Sequence, residues 1–332
     1  MSKHLVLTGG AGFIGHHTIE HVLKNTDWTI TTIDRLSYAG NLNRLTDLDC
    51  WEAEKGRVRF VYHDFRAEIM PNRFRAMKAD FFIHMGAESH VDRSITDPLP
   101  FAESNVVGTV HMLNLAHALQ AERTIYVSTD EVYGATVGGK LHKEGEPHRP
   151  SNPYSASKSG GEAFAYSFWN TYKDPIMITN TMNNFGERQD TEKFVPGTIL
   201  KLWNDEPVVL HVKKDADGAV VDISSRCWLH ARNHADALLF LLENGIPGER
   251  YNIVGVRASV EEVANRIATI MNIPDPDLTY IDFHSFRPGH DMHYGLDGSK
   301  LAKLGWKAPF SFEESLEKTV NWSLENKEWL RV

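Results

Sequence analysis

Tyr154 and Lys158 have the residue types and the spacing that proton transfer needs. They lie four positions apart, after Pro153 and the cap candidates Ser151 and Asn152, as expected at the start of a helix. Residues four apart share a helix face, so the ammonium of Lys158 is expected to stabilise the phenolate of Tyr154 and to lower its pKa. The pair predicts a general base near neutral pH. Taken alone, Tyr-x-x-x-Lys also occurs on surface helices without function.

Gly9, Gly12 and Gly15 form a G-x-x-G-x-x-G pattern between an apolar strand and a helix. Without side chains there, backbone N–H groups can approach a pyrophosphate at the helix N-terminus. Asp34 follows 34 − 15 = 19 positions later, where a carboxylate can accept hydrogen bonds from the adenosine ribose. A dinucleotide site is predicted, and Asp34 favours NAD because it would repel a 2′-phosphate; the adjoining Arg35 leaves NADP open. A glycine turn that only packs tightly would not explain the acid.

Adjacent acids lie in the stretch Ser-Thr-Asp-Glu-Val-Tyr-Gly at residues 128–134, after an apolar run at 124–127. Parallel strands present their carboxyl ends to the ligand crevice, so Thr129, Asp130 and Glu131 are expected beside the nicotinamide. A protonated Asp130 and an ionised Glu131 would supply one general acid and one general base. The alternative is a solvated acidic turn or a helix N-cap.

A parallel sheet would bring these residues together. Short apolar or β-branched runs predict strands at residues 4–8, 28–33, 58–62, 81–84, 124–128 and 176–181. Helices are predicted at 13–23, 198–203, 233–243, 259–271 and 312–326, and a polar hairpin or loop at 213–225. The alternation indicates an α/β fold of Rossmann type, a doubly wound parallel sheet. We expect an NAD-binding domain at residues 1–181, joined by segments near 222–255, and a smaller C-terminal substrate-binding lobe at 182–332.

Composition limits the classes of function. Of 332 residues, 42% are hydrophobic and 24% charged, which suits a large core. The 35 basic and 44 acidic residues give 35 − 44 = −9, which opposes broad binding to nucleic acid or anionic lipid. No apolar run approaches the ~20 residues of a membrane span, and the first residues predict a strand rather than a signal peptide. Cys50 and Cys227 lack zinc or redox spacing. A soluble cytoplasmic enzyme without a metal site is expected.

Several blocks resemble the extended short-chain dehydrogenase/reductase superfamily and, within it, the nucleotide-sugar 4,6-dehydratases. The Thr-Asp-Glu triplet at 129–131 is the specific part, because epimerases of this superfamily usually carry small or hydroxyl residues at the two acidic positions. The blocks span nearly the whole chain and lie at residues 8–15, 34–42, 87–94, 128–134, 153–158, 183–186, 192–196 and 287–291.

The resemblance implies NAD-dependent loss of water from a nucleotide hexose, most closely dTDP-glucose, with UDP-glucose as the nearest alternative. Tyr154 would take the O4 proton while hydride leaves C4, with Lys158 tuning Tyr154 and binding ribose, and Thr129 hydrogen-bonding near O4. Glu131 would then abstract the C5 proton, Asp130 would protonate the departing C6 hydroxyl, and hydride would return to C6. Competing hypotheses are a 4-epimerase, which has no use for the two acids, and a non-catalytic dinucleotide-binding regulator.

The resemblance also implies a homodimer, formed by helices near 98–120 and 155–172, and a set of ligand contacts. Cofactor contacts are expected at Gly9, Gly12, Phe13, Ile14, Gly15, Asp34, Arg35, Ser37, Asp64, Phe65, Ala87, Ser104, Tyr154, Lys158 and Asn184. Nucleotide-sugar contacts are expected at Ser89, Thr129, Asn183, Lys193, Phe194, Arg226, Asn252, Arg287 and His290. The two arginines suit a diphosphate, with surface ion pairs as the alternative. His290, like His90, is also consistent with a structural role.

Three segments depart from the family pattern. The stretch 213–225 is longer than expected, His230 stands where tyrosine is common, and Met85-Gly86 replaces a commoner Leu-Ala. The strand expected to contact the nucleotide base contains Val209, Leu210 and His211, which do not distinguish thymine from uracil.

Overall fold

The computed structural model describes residues 2–74, 78–136, 138–282 and 292–331. The strands are β1 His4–Thr8, β2 Thr29–Asp34, β3 Val58–Tyr62, β4 Phe81–His84, β5 Arg123–Thr129, β6 Ile176–Thr181, β7 Asn183–Phe185, β8 Val208–Lys214, β9 Val220–Ile223, β10 Ser225–His230, β11 Arg250–Ile253, β12 Val256–Ser259 and β13 Leu278–Asp282. The α-helices are α1 Phe13–Asn25, α2 Asn43–Thr46, α3 Trp51–Glu54, α4 Val91–Thr96, α5 Leu99–Ala102, α6 Gly108–Ala118, α7 Pro153–Tyr172, α8 Phe194–Trp203, α9 Ala231–Asn244, α10 Val260–Ile270, α11 Ser299–Leu304 and α12 Phe312–Glu325. A π-helical turn spans Glu103–Val107, and 3₁₀ turns span Lys55–Arg57, Pro71–Phe74, Asp130–Tyr133 and Lys327–Leu330.

Seven strands form one sheet in the order β11-β6-β5-β4-β1-β2-β3, and every neighbouring pair is parallel. The central strands are buried nearly throughout, as expected where helices cover both faces. The direction in which strands are added reverses between β1 and β4, which is where doubly wound sheets bind ligands. The predicted Rossmann-type fold is confirmed.

The carboxyl edge of this sheet gathers the chemically interesting residues. The glycine turn follows β1, Asp34 ends β2, and Asp130 directly follows β5. Because all the strands run in the same direction, these three positions lie along one edge. The sheet therefore does the positioning that the sequence pattern requires.

A second lobe packs beside that edge. It contains one three-stranded sheet of β12-β10-β7 and another of β13-β8-β9. Helices α8, α10 and α12 cover these strands, and their apolar side chains share one core with Trp228 and Leu210. Three elements after residue 181 belong with the large sheet instead: β11 pairs with β6, α9 packs against α1, and α11 packs against β11.

Some boundaries differ from the sequence prediction. The strand expected at 28–33 is Thr29–Asp34, because Trp28 precedes the ladder and packs into the core. The helix expected at 198–203 already begins at Phe194, because Pro196 lies in the first turn, where no N–H donor is needed. The predicted hairpin is present: β8 and β9 pair antiparallel around a turn in which Asp215 accepts backbone N–H bonds from Asp217 and Ala219.

Candidate active site

A cavity of about 600 Å³ runs along the carboxyl edge of the large sheet and under the second lobe. It brings together most of the residues singled out in the sequence. Its lining includes Gly9, Gly12, Phe13, Ile14, Gly15, Asp34, Arg35, Ser37, Phe65, Ala87, Ser89, Thr129, Asp130, Glu131, Tyr154, Lys158, Asn183, Asn184, Lys193, Phe194 and Arg226.

The glycine turn at one end of the cavity has no room for side chains. Gly9 has a φ of +79°, and a Cβ there would lie 2.8 Å from the Cα of Gly86. A Cβ on Gly15 would lie 2.0 Å from the carbonyl oxygen of Gly9. Helix α1 starts directly after this turn, and its N-cap, Gly12, makes no side-chain hydrogen bond to the first helical amides. An anionic group can therefore approach the N-terminus of α1 closely.

Asp34 is buried beside the turn. Its two carboxylate oxygens accept hydrogen bonds from the backbone N–H groups of Ala11, at 3.0 Å, and Leu36, at 2.8 Å. Burial raises the pKa of Asp34, and these N–H donors oppose the shift. A carboxylate oxygen can accept more than one hydrogen bond, so Asp34 retains capacity for a ribose hydroxyl.

The guanidinium of Arg35 is already paired with acidic side chains. It contacts the carboxylate of Glu88 and lies 3.7 Å from that of Asp64. Asp64 in turn holds Arg66 through a hydrogen bond of 2.7 Å. A cation committed to two carboxylates is poorly suited to a 2′-phosphate, which supports NAD rather than NADP.

Asp130 is a buried acid of the cavity with a strongly raised pKa. It is 4% exposed, and burial, followed by the negative charge of Glu131, raises its pKa to about 7. One oxygen, Oδ1, accepts a hydrogen bond of 3.1 Å from the Thr129 hydroxyl, while Oδ2 is buried with no hydrogen-bond partner among the described residues. At neutral pH the carboxyl is therefore available in its protonated form, as a general acid requires.

Glu131 is less buried and is oriented by its neighbours. Its backbone N–H donates to the Thr129 hydroxyl at 3.3 Å, and its carboxylate accepts a hydrogen bond of 3.2 Å from the amide of Asn152. Asn152 is fixed in turn, because it forms a reciprocal capping box with Ser155 at the start of α7. One short stretch of chain thus holds the two acids in different environments.

Tyr154 and Lys158 lie on α7 and both reach the cavity. Burial lowers the pKa of Lys158 to about 8, and its Nζ donates to the carbonyl of Val127 at 2.8 Å. The pKa of Tyr154 is raised, because burial and the nearby charge of Glu131 both disfavour the phenolate. The lowered tyrosine pKa expected from the sequence is therefore not found: the lysine ammonium is directed at a backbone carbonyl, and the acid pair has the opposite effect.

The cavity lining also contains buried polar atoms that a bound dinucleotide could satisfy. The Ser128 hydroxyl and the Asn184 side-chain oxygen are buried without a hydrogen-bond partner among the described residues, and both side chains line the cavity. Buried polar atoms are normally paired, so such atoms indicate a place where a ligand completes the bonding. Together with the glycine turn and Asp34, they fit NAD.

The other end of the cavity suits an anionic substrate. Phe194 packs against Trp228, with ring centroids 5.5 Å apart and the ring planes inclined by 41°. Arg226 donates to the carbonyls of Ser225 and Met292 and lies 4.9 Å from the Tyr294 ring centre. These contacts fix the guanidinium at the cavity wall.

Some predicted contacts are not brought to the cavity. Asp64 is committed to the two arginines described above, and Ser104 is fully buried away from the lining. The amide of Asn252 donates to the carbonyls of His142 and Asp297, at 3.1 Å each, outside the cavity. Arg287 and His290 lie outside the described residues.

A cavity-lining segment was missed by the sequence analysis. Residues 186–193, called here the 186–193 segment, connect β7 to α8 and contribute Gln189, Asp190, Thr191 and Glu192 to the lining. Only Lys193 was named there as a ligand contact, although Gly186 and Glu192 lie in blocks that resemble the family. The segment has no periodicity, and its only signal is a run of polar and charged residues between two apolar elements.

Glu187, at the start of this segment, and His230 form a buried polar cluster. His230 Nε2 lies 3.0 Å from the Glu187 carboxylate, which also contacts Lys318, and His17 Nε2 donates to the backbone carbonyl of Glu187 at 3.1 Å. Burial lowers the pKa of His17 to about 4 and also lowers that of His230. The histidine that departs from the family pattern thus has a structural partner.

Two features are absent from the described residues. No helix there is both long and apolar enough to cross a bilayer. Nor is any group of three or more His, Cys, Asp or Glu side chains arranged to hold a metal ion.

Comparison with known proteins gives full-length matches. A family model described as GDP-mannose 4,6 dehydratase matches residues 6–319. The dTDP-glucose 4,6-dehydratase of Neisseria gonorrhoeae is 37% identical over 347 residues, covering 98% of this chain and 96% of the relative. The structure of DesIV, a dTDP-glucose 4,6-dehydratase from Streptomyces venezuelae with NAD and TYD bound, superposes with a TM-score of 0.86 at 34% identity, covering 98% of both chains. A UDP-glucose 4-epimerase from Thermus thermophilus with NAD gives 0.84 at 25% identity, covering 96% of this chain and 98% of the epimerase. This chain belongs to the nucleotide-sugar 4,6-dehydratase family of the extended short-chain dehydrogenases/reductases.

Proposed function

We propose that this chain is an NAD-dependent hydro-lyase that converts dTDP-glucose to dTDP-4-keto-6-deoxyglucose and water. One observation carries the proposal: two adjacent acids, Asp130 and Glu131, share a cavity with Tyr154 and Lys158, and the pKa of Asp130 is raised to about 7. Elimination needs one group that gives a proton and one that takes a proton. The similarity to dTDP-glucose 4,6-dehydratases supports the same substrate.

The acid pair distinguishes elimination from epimerisation. A 4-epimerase needs proton transfer at O4, for which Tyr154 suffices, but has no proton to deliver to a leaving hydroxyl. Here Asp130 is buried and can hold a proton at neutral pH, while Glu131 is more accessible and accepts a hydrogen bond from Asn152. The two environments push neighbouring carboxyls towards opposite roles, which an epimerase would not require.

When bound, NAD supplies the hydride acceptor for C4 and the hydride donor for C6. In the oxidation, Tyr154 would take the O4 proton, with the Thr129 hydroxyl hydrogen-bonding near the same oxygen. This needs the phenolate, so the Lys158 ammonium and protonation of Asp130 would have to offset the burial and the charge of Glu131 that raise the pKa of Tyr154. In the elimination, Glu131 takes the C5 proton, which the C4 ketone has made acidic, and Asp130 gives its proton to the departing O6, so that water leaves. A proton is returned to C5 at the end, and the product carries a C4 ketone and a C6 methyl group.

Lys158 supports this chemistry by its charge and its position. With a pKa of about 8 it is mostly charged at pH 7, one helical turn after Tyr154. The bond from its Nζ to the Val127 carbonyl fixes the ammonium at the end of β5. An ammonium has three donors, so two remain for a ribose hydroxyl and the phenol.

The substrate is held mainly by the second lobe. Arg226 would bind the diphosphate, and Lys193 and Phe194 would contact the nucleotide from the start of α8, with Asn183 and Ser89 nearer the sugar. Arg287 and His290 keep this proposed role by resemblance. Residues 1–181, with β11 and α9, would hold NAD, and residues 182–332 would hold mainly the nucleotide sugar.

We further propose a cytoplasmic homodimer. The helices expected to pair, near 98–120 and 155–172, expose large apolar side chains. These are Leu99, Val107, Phe164, Tyr166 and Tyr172. They lie on α5, the π-helical turn and α7, which contact one another, and exposed apolar side chains on neighbouring helices are typical of an interaction surface. Light scattering of the purified protein tests this, and a monomer at micromolar concentration would contradict it.

The function is tested by a panel of dTDP-, UDP-, GDP- and CDP-glucose. Products are examined by mass spectrometry for the loss of one water and by the absorbance that 4-keto sugars develop in alkali. We expect turnover with dTDP-glucose and its loss in Asp130→Asn. A product of unchanged mass with inverted C4 would indicate an epimerase, and preference for UDP-glucose would correct the substrate but keep the reaction.

A further inference from the structure

Arg44 is a fully buried arginine close to the cavity. It lies in the short helix α2 and is 2% exposed. Removing a guanidinium from water is costly unless its N–H groups find acceptors. The hydrogen-bond acceptors of Arg44 therefore indicate its role.

Those acceptors belong to three different parts of the chain. Nε donates to the carbonyl of Arg188 at 2.9 Å, and Nη2 donates to the Asp190 carboxylate at 3.0 Å. Nη1 donates to the carbonyl of Ala11 at 3.3 Å and to that of Ala39. Its flat, forked shape lets one side chain satisfy all of them at once.

Each acceptor is attached to a ligand-binding part of the cavity. Ala11 lies within the glycine turn, between Gly9 and Gly12. Ala39 follows Asp34 in the loop after β2 and lines the cavity. The two remaining acceptors lie in the 186–193 segment, which lines the cavity and leads into α8.

We propose that Arg44 is a positioning residue that holds the dinucleotide turn and the 186–193 segment in fixed relation, so that cofactor and sugar nucleotide meet in reacting geometry. The inference rests on the proposed function and adds to it a residue that is not part of the cavity lining. Arg44 acts through Ala11 on one side and through Asp190 on the other.

Glu187 and Arg188 also hold the 186–193 segment through contacts that do not involve the Arg44 side chain. Loss of the Arg44 contacts can therefore be distinguished from loss of the fold. The Glu187 carboxylate pairs with His230 and Lys318. The Arg188 guanidinium donates to the carbonyl of Asp47 at 2.6 Å and lies over the Trp322 ring. Loss of the Arg44 contacts should therefore displace the part of the segment that follows Arg188 without detaching all of it.

The test compares Arg44→Lys with Arg57→Lys. Arg57 is a matched control because its guanidinium also donates to three backbone carbonyls, those of Leu23, Thr26 and Trp28. None of these three residues lines the cavity or belongs to the glycine turn or the 186–193 segment. Lysine keeps the positive charge at each site but cannot reproduce the fork. Because both variants carry the same chemical change, a difference in KM or NAD retention between them reflects the location of the arginine.

For Arg44→Lys we expect the KM for dTDP-glucose to rise about tenfold, while kcat per NAD-loaded site changes by less than about threefold. We also expect a larger fraction of bound NAD to be lost during gel filtration. Arg57→Lys should lower the denaturant midpoint but leave KM and NAD retention as in the wild type. Arg44→Lys behaving like Arg57→Lys would overturn the proposal and leave Arg44 a purely structural residue.

Two further measurements keep the test decisive. If Arg44→Lys does not fold, Asp190→Asn removes the same link from the other side and should raise KM in the same way. Where both fold, the double variant should cost little more than either single one, because the two side chains act through one contact; fully additive effects would contradict the link. If the wild type turns over no sugar nucleotide, the proposed function fails, and NAD retention still decides the role of Arg44.

Discussion

Replacement of Asp130 by asparagine should make the protein more stable at alkaline pH while abolishing its activity. The carboxyl is buried, and its pKa in the folded protein is about 7 against an ordinary value of 3.8. Because the folded-state pKa lies above the unfolded one, ionisation of Asp130 opposes folding. The penalty is absent at low pH, grows as the pH rises above about 4, and is complete above about 7. Asparagine has no charge to bury.

The size of the effect follows from the two pKa values. The difference of about 3 corresponds to a full penalty of about 4 kcal/mol, at about 1.4 kcal/mol for each tenfold change in acidity. Between pH 5 and pH 8 the penalty grows by about 2–3 kcal/mol. The new amide would place an N–H₂ where Oδ2 has no partner among the described residues, at a pH-independent cost of about 1–3 kcal/mol. The quantity to measure is therefore how the difference in the free energy of unfolding between Asp130→Asn and the wild type changes with pH.

Urea unfolding at a series of pH values between 5 and 8 gives that quantity for wild type and Asp130→Asn. Asp217→Asn is the control, because Asp217 lies exposed in the β8–β9 turn. Measured relative to the wild type, the free energy of unfolding of Asp130→Asn should increase by about 2–3 kcal/mol from pH 5 to pH 8, and that of Asp217→Asn should not change. Parallel curves for all three proteins would refute the raised pKa and, with it, the assignment of Asp130 as the general acid.

Three further changes test other parts of the site. Glu131→Gln should abolish loss of water but still allow the sugar to reduce bound NAD, seen as absorbance of the reduced nicotinamide, because oxidation does not use that carboxylate; equal loss of both half-reactions would reject the role. Glu88→Gln should free Arg35 from one of its two carboxylates and strengthen NADP binding about tenfold, measured by competition with NAD; an unchanged ratio would show that Arg35 does not govern the choice. His230→Phe should cost about 1–3 kcal/mol in urea unfolding, because it removes a neutral imidazole that contacts the buried Glu187 carboxylate; no measurable cost would mean that Lys318 alone satisfies that carboxylate.

Sequence reasoning succeeded where the signal is local. The glycine turn, Asp34 and the acid pair each follow a short apolar run, and parallel strands then place them along one edge without further information. The start of α7 was also predicted correctly, because Asn152 and Pro153 are typical of the first positions of a helix. Each of these predictions depends on a few neighbouring residues and on one general rule of sheet topology.

It failed where the outcome depends on contacts distant in sequence. Arg44 looks like a surface residue of a short polar helix, and only the fold brings Asp190 to it across 146 positions. Asn252 was expected at the substrate, but β11 turns its amide to the carbonyls of His142 and Asp297. The pKa of Tyr154 was misjudged for the same reason, since the helical spacing revealed Lys158 but not how deeply the fold buries the phenol or how close it brings Glu131.

The raised pKa of Tyr154 links the two halves of the reaction. Burial comes first among its causes, and the charges of Glu131 and then Asp130 add to it. When Asp130 is protonated, the acid pair carries one negative charge instead of two, so the phenolate beside it is less disfavoured. In the proposed mechanism, the protonation that would let Asp130 deliver a proton to O6 would therefore also help Tyr154 to accept one from O4. A single proton on the buried acid would then prepare both steps.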